Sequence, residues 1–399
     1  MTIRTSHLRG AVRLAADATI GLTELVEAMH ERVARLPGVS SSKPGGRTDG
    51  ITGLVYKSIR AATRLVGGSV DALLGFITQA LESDHDLASD REVIVAVLNG
   101  VLGDHLAATG NPLATPMTMR SKGRALNVEG AGLGDYLPDA SAHVVLIHGL
   151  CMNDLHWSRQ GHDHGQALFR DLGFTPIYLR YNSGLHVSSN GRALAQQLEN
   201  LVEQWPKSIA RLVVVGHSMG GLLARSALHY GAEAGHRWPS RLTDLVFLGT
   251  PHHGAPLERA GNWVNALLDA TPYAAPFSRL GKIRSAGITD LRHGNLLDGD
   301  WTGSDRFAHH SDERQHVPLP GGVRCYALAG SIGLQSSGLK QRILGDGLVP
   351  LDSALGRHRD SARCLVFRSD RQWTGFGLNH LDLLNDQKVY AQLLRWLTP

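Results

Sequence analysis

A serine flanked by glycines, Gly216-His217-Ser218-Met219-Gly220, sits between the apolar run Leu212-Val213-Val214-Val215 and the segment Gly221-Leu222-Leu223-Ala224-Arg225. Strand, tight turn and helix are the context in which G-x-S-x-G holds a hydroxyl on a strained, exposed elbow, with the glycines removing side chains that would strike neighbouring backbone. A serine hydroxyl is a weak nucleophile at neutral pH, so acyl transfer needs an adjacent base oriented by a third group. In such an architecture the chain order is serine, acid, histidine. Asp346, in Leu344-Gly345-Asp346-Gly347-Leu348, follows one expected strand, and His380, in Gly377-Leu378-Asn379-His380, follows another just before the last helical pattern. Ser218, Asp346 and His380 are therefore the candidate catalytic residues. Asp352, Asp370 and Asp382 compete for the acid's role; Asp352 reads as the cap of a short helix and Asp382 as the start of the last one.

Acyl transfer also needs donors aimed at the oxyanion that develops on the attacked carbonyl. The helix after Ser218 offers the Met219 main-chain N–H, and the loop after the first parallel strand, Val144-Val145-Leu146-Ile147-His148-Gly149-Leu150, offers that of Leu150. His148, Gly149, His217 and Trp263 are expected to line the substrate site, His217 by packing beside the elbow.

The elements that must position these groups are legible from about residue 111. Strands are expected at 142–147, 174–180, 211–215, 243–248, 323–329 and 363–368, with helices at 160–172, 190–204, 219–232 and 383–397. Near-continuous Val/Leu/Ile runs alternating with helices indicate a mostly parallel sheet flanked by helices on both faces. The stretch 116–130 reads as an antiparallel edge hairpin. Residues 1–110 read as a helical N-terminal extension with helices at 11–36, 51–82 and 90–108, and 111–399 as the catalytic domain. The 51–82 segment, with Lys57, Arg60 and Arg64 among its apolar residues, is read as a helix packed on the main domain, with a peripheral lipid-surface contact as the other reading. Residues 254–322 form a long lid-like insertion whose Trp263, Leu267, Leu268, Phe277, Leu280 and Trp301 supply apolar surface.

Composition narrows the field. The 399 residues are 42% hydrophobic and 19% charged, which excludes disorder as the main state, and the net charge of +4 is spread too thinly for a nucleic-acid binder. No run of apolar residues is long enough for a transmembrane helix, and Asp17 interrupts the N-terminus before a signal-peptide core forms, so a cytoplasmic setting is expected. Cys151, Cys325 and Cys364 specify neither a disulfide framework nor a zinc spacing. The histidine runs 162–164, 252–253 and 309–310 supply no four-ligand set, and are read as surface or loop polar residues rather than a metal site.

The H-G-L strand end, the G-H-S-M-G elbow and Leu248-Gly249-Thr250-Pro251-His252-His253-Gly254 together resemble the α/β-hydrolase superfamily, and within it the bacterial lipase/esterase and lipid-ester deacylase group. The resemblance covers roughly 140–399. It implies an α/β-hydrolase fold, a Ser-Asp-His triad at Ser218, Asp346 and His380, an oxyanion hole at Leu150 and Met219, and no cofactor. Some relatives hold structural Ca²⁺ or Zn²⁺, but those ligand motifs do not match this chain. The function so implied is hydrolysis of small-molecule or lipid esters with hydrophobic parts. A phospholipid acyl bond, an amide or a thioester would suit the same triad, and a non-catalytic binding protein is the reading from another class.

Overall fold

A computed structural model describes residues 88–127, 141–205, 208–255, 285–303, 305, 311–333 and 345–399. The expected helices at 11–36 and 51–82, and Trp263, Leu267, Leu268, Phe277 and Leu280 of the insertion, lie outside the described residues. The expected run at 90–108 is helix α1, Ala88–Ala108. Its Ile94, Val97, Leu98, Val101 and Leu106 are buried in the same apolar core as the sheet. Polar ties hold it there: Arg180 bridges Glu92 to Asp154, and Asn182 donates to the Gly103 carbonyl at 2.8 Å.

Eight strands form one sheet among the described residues, in the order β2-β1-β4-β3-β5-β6-β7-β8. The edge hairpin is β1 (Thr118–Ser121) with β2 (Arg124–Ala125), and β1 runs antiparallel to β4 (Thr175–Arg180). From β4 onward every pairing is parallel, through β3 (Ala142–Ile147), β5 (Arg211–His217), β6 (Leu242–Leu248), β7 (Arg324–Ser331) and β8 (Gln372–Phe376). Helices cover both faces, so Val144, Val145, Leu146, Ile147, Val213, Val215, Leu245 and Val246 all lose their solvent contact. That double burial is why the strands read as unbroken apolar runs rather than alternating ones.

The covering helices are α2 (His164–Leu172), α3 (Val187–Gln204), α4 (Met219–Glu233) and α7 (Gln387–Leu397), with short α5 (Ala286–Asp290) and α6 (Leu351–Ala354) between them. Helix α2 begins where the Asp163 carboxylate accepts the Gln166 N–H and ends on left-handed Gly173. Helix α7 buries Val389, Leu393, Trp396 and Leu397, one face at helical spacing. No helix of the described residues is long and apolar enough to cross a membrane.

Three expectations are corrected. The last strand is 372–376, not 363–368. Residues 363–368 bury Leu365 and Phe367 but leave Val366 88% exposed, and among the described residues they form no strand ladder, with the Leu365 N–H donating to the Gly356 carbonyl and the Phe367 carbonyl accepting from the Gln372 side chain. Apolar content there serves a flap over the core, and hydropathy alone does not distinguish a flap from a strand. Second, Asp352 and Asp382 are not the helix caps. Pro350 precedes α6, Asp386 caps α7 by accepting the Lys388 N–H, and the Asp382 carboxylate accepts the Asn379 N–H.

Third, His164 and His252 are core residues, not surface ones, as are His143, His148 and His217; all five have no exposed surface. Burial penalises the charged ring, holding His143 down to about 4 and His148 and His164 down to about 3. As pH falls below the ordinary value near 6.5, the unfolded chain takes up protons that these rings refuse in the folded state. The associated stability is therefore complete above about 6.5 and is lost as pH drops toward 4, by up to about 1.4 kcal/mol per pH unit for each such ring. His143 packs edge-on to Trp205 with ring centroids 4.1 Å apart, and neither of its nitrogens finds a partner among the described residues. His143→Phe should accordingly keep the neutral-pH melting temperature and soften its decline between pH 6.5 and 5. Identical slopes for the two proteins would refute this.

Candidate active site

Every parallel strand delivers its carboxyl end to the same edge of the sheet, the edge where α/β sheets place their ligands. Register brings the critical ends together. Ile147 pairs with Gly216, His217 with Leu248, and Leu248 with Leu328, so the loops after β3, β5, β6 and β7 meet there.

Ser218 lies between β5 and α4 with φ 54° and ψ −125°, a left-side conformation that costs a non-glycine residue of order 1–3 kcal/mol. The surroundings over-determine it. The Ser218 N–H donates to the Leu248 carbonyl at 2.8 Å and the Gly221 N–H to the Ser218 carbonyl at 3.0 Å. The flanking glycines are required by close approach. A Cβ on Gly216 would fall 2.6 Å from Gly221 backbone, and one on Gly220 would fall 2.3 Å from the Ile147 carbonyl oxygen. Because main chain on both sides must give way, Gly220→Ala should destabilise the protein by roughly 3 kcal/mol, near the upper end for overpacking. A chemical-denaturation midpoint unchanged from wild type would contradict that contact.

His380 and Asp346 form a tight pair. His380 Nδ1 and Asp346 Oδ2 are 2.7 Å apart, and the His380 N–H also donates to the Asp346 carbonyl at 3.1 Å. The other carboxylate oxygen, Oδ1, accepts the N–H groups of Leu348 at 3.0 Å and Val349 at 2.8 Å. These bonds aim Oδ2 at the imidazole. Gly249, at φ 58°, lets the β6 loop pass this pair: a Cβ there would stand 3.1 Å from Asp346 Oδ2 and 3.2 Å from His380 Cε1. The competing acids are occupied elsewhere, Asp370 by Arg368 and Asp352 by Arg357 at 3.7 Å.

Ser218 is 1% exposed, and its hydroxyl has no hydrogen-bond partner among the described residues. His217, next to the serine, accepts or donates nothing to it; its Nε2–H donates to the His380 carbonyl at 3.0 Å, and the two rings lie 4.6 Å apart.

The β3 loop closes the site from the other side. A Cβ on Gly149 would lie 3.0 Å from Ser218 Cβ, so the loop carrying Leu150 runs against Ser218. Neither the Leu150 nor the Met219 N–H donates to an acceptor among the described residues, and Met219 opens α4, whose amino end favours negative charge. His148 stacks on Tyr181 at 4.3 Å, and the Tyr181 hydroxyl donates to the His148 carbonyl at 2.9 Å, which clamps the loop from beneath. His148 and His217 have no exposed surface, and His217 Nδ1 stands 3.2 Å from where a Cβ on Gly149 would lie. Trp263 lies outside the described residues. Cys151, a second nucleophile type in this loop, is no rival, because burial pushes its thiol up to about 12.

Sequence reasoning missed the scaffold. Tyr181 and the Leu348–Val349 amides carry no motif, and Gly249 falls in the Leu248–Gly254 motif without its passage beside the His–Asp pair being stated there; only the Asp-Gly turn after Asp346 hinted that this carboxylate would accept N–H groups two and three residues on. Of the insertion, Trp301 docks beside α3, stacked on His186 at 3.7 Å with its indole N–H on Ser188 Oγ at 3.0 Å.

Residues 140–318, just under half of the chain, match the PGAP1-like alpha/beta domain family. No curated protein sequence matches. Among solved structures, the mature lipase BlEst2 of Bacillus licheniformis is 20% identical, with a TM-score of 0.45 over 71% of this chain and 100% of that one. The lipase B of Aspergillus fumigatus is 12% identical, with a TM-score of 0.37 over 69% of this chain and 54% of that one. The esterase Pf2001 of Pyrococcus furiosus is 13% identical, with a TM-score of 0.36 over 65% and 81%.

Proposed function

This chain is an α/β-hydrolase by fold, and on that premise we propose that it is a serine carboxylic-ester hydrolase working through Ser218, His380 and Asp346. The observation that carries the reading is a buried His–Asp pair at 2.7 Å at the same sheet edge as a strained elbow serine whose hydroxyl has no hydrogen-bond partner among the described residues.

In the proposed cycle Ser218 Oγ attacks the ester carbonyl carbon as His380 Nε2 accepts the hydroxyl proton. Asp346 keeps the proton on Nδ1 and stabilises the imidazolium. The Leu150 and Met219 N–H groups receive the oxyanion. The tetrahedral adduct collapses as His380 returns the proton to the leaving alcohol, giving an acyl-enzyme and free alcohol. Water then attacks the acyl carbon, losing its proton to His380, and the carboxylic acid leaves as Ser218 regains its hydrogen. The apolar residues of the insertion favour esters with hydrophobic parts. A small-molecule or lipid ester is thus the proposed substrate class.

Two measurements test this. A fluorophosphonate probe should label the protein stoichiometrically, with the adduct on the peptide containing Ser218. A p-nitrophenyl ester should give a pre-steady-state burst of about one equivalent of alcohol. A folded protein that takes no label and turns over no ester would overturn the proposal in favour of a binding role.

A further inference from the structure

Arg225 projects from α4 seven residues beyond Ser218, about 10 Å further along the helix. It is 5% exposed, and no carboxylate among the described residues bonds to it. Its Nη2 donates to the Val317 carbonyl at 2.5 Å and its Nη1 to His252 Nδ1 at 3.4 Å. The nearby acids are committed. Asp300 accepts the N–H groups of Leu296, Leu297 and Gln315, while Asp312 pairs with Arg314 and Arg363. A buried cation is thus left with neutral partners. Burial, reinforced by Arg314, pushes its guanidinium down to about 9, against weaker support from Cys325 and Asp300.

The contact with His252 fixes a tautomer. A guanidinium can only donate, so His252 Nδ1 is the acceptor and the ring proton sits on Nε2. That Nε2–H is fully buried and has no acceptor among the described residues, and the same holds for Arg225 Nε–H. Both side chains line a small pocket together with Arg314, Arg363 and Asp300, the last with both oxygens taken up by main-chain N–H groups, and its exposed residues are Gln315 and His316. Two buried donors and an uncompensated positive charge at one pocket lack the same thing, an anionic acceptor.

We infer that this pocket binds a small oxyanion, with one oxygen of a carboxylate or phosphate group held by Arg225 and His252. The charged group would sit against Arg225 and His252, with the rest of the molecule toward the exposed Gln315 and His316. The site is separate from the catalytic one, so its occupancy does not depend on the hydrolase reading.

Thermal unfolding of the full chain in inorganic phosphate, acetate or sn-glycerol 3-phosphate, against chloride at equal ionic strength, separates the free ion, a carboxylate and a phosphate ester. At least one should raise the melting temperature at millimolar concentration, and Arg225→Gln should weaken that effect at least tenfold. Crystals of the wild-type protein soaked in tungstate answer independently of whether that variant folds. Density within hydrogen-bonding reach of Arg225 and His252 supports the site. No stabilisation by any of the three anions, or tungstate bound only elsewhere, overturns it.

Discussion

Ser218→Ala is expected to lower kcat for a p-nitrophenyl ester by about 10⁴-fold or more and to abolish the burst, as loss of an activated nucleophile does. The substitution removes the only atom proposed to bond to the acyl carbon, whereas the Leu150 and Met219 donors remain to support a small residual rate. Stability should move the other way from activity. At φ 54° the backbone of residue 218 is strained for any side chain, and glycine alone adopts that conformation without cost. Ser218→Gly should therefore be as inactive as the alanine variant yet melt at a higher temperature, by the equivalent of about 1 kcal/mol. Activity within tenfold of wild type in either variant would remove Ser218 from the mechanism. A lower melting temperature for the glycine variant would show that the elbow holds no strain.

Asp346→Asn should reduce kcat by about 10⁴-fold while leaving the fold intact. The reason lies in the bonds on the far side of the carboxylate. The Leu348 and Val349 N–H groups both donate to Oδ1, so an asparagine must turn its carbonyl oxygen toward them. Its NH₂ then faces His380 Nδ1 across the 2.7 Å gap now spanned by Oδ2. An amide donor there forces Nδ1 to accept, which moves the ring proton to Nε2 and leaves the histidine unable to take a proton from Ser218. The comparison variants are Asp352→Asn, Asp370→Asn and Asp382→Asn, which should keep near-normal rates because their carboxylates are held by Arg357, Arg368 and the Asn379 N–H. If one of those three were silenced and Asp346→Asn were active, the acid has been misassigned.

How far the site could be read in advance varies by residue. Ser218 was legible because the requirement on it is local: a strand, a turn without side chains and a helix all fall within about a dozen residues. His380 and Asp346 were legible only through chain order, since nothing near either residue states that the other lies across the sheet edge. The buried histidines were the largest misreading. A histidine such as His252 carries the same polar label whether it faces water or is wedged against Phe247 with ring centroids 4.6 Å apart. The run at 363–368 was misread for a related reason, because apolar residues at an alternate spacing suit a core-facing flap as well as a strand.

From the amino-acid order alone came the parallel sheet, the elbow and the proposal of acyl transfer, because each depends on periodicity or on steric needs confined to neighbouring residues. The remainder depended on packing. Which oxygen of Asp346 meets the imidazole, how Tyr181 and His217 brace the loops, and why Arg225 is buried without a carboxylate all arise between residues tens to more than a hundred positions apart. Such contacts are set by strand register and helix placement summed over the whole sheet, and no window along the chain contains them.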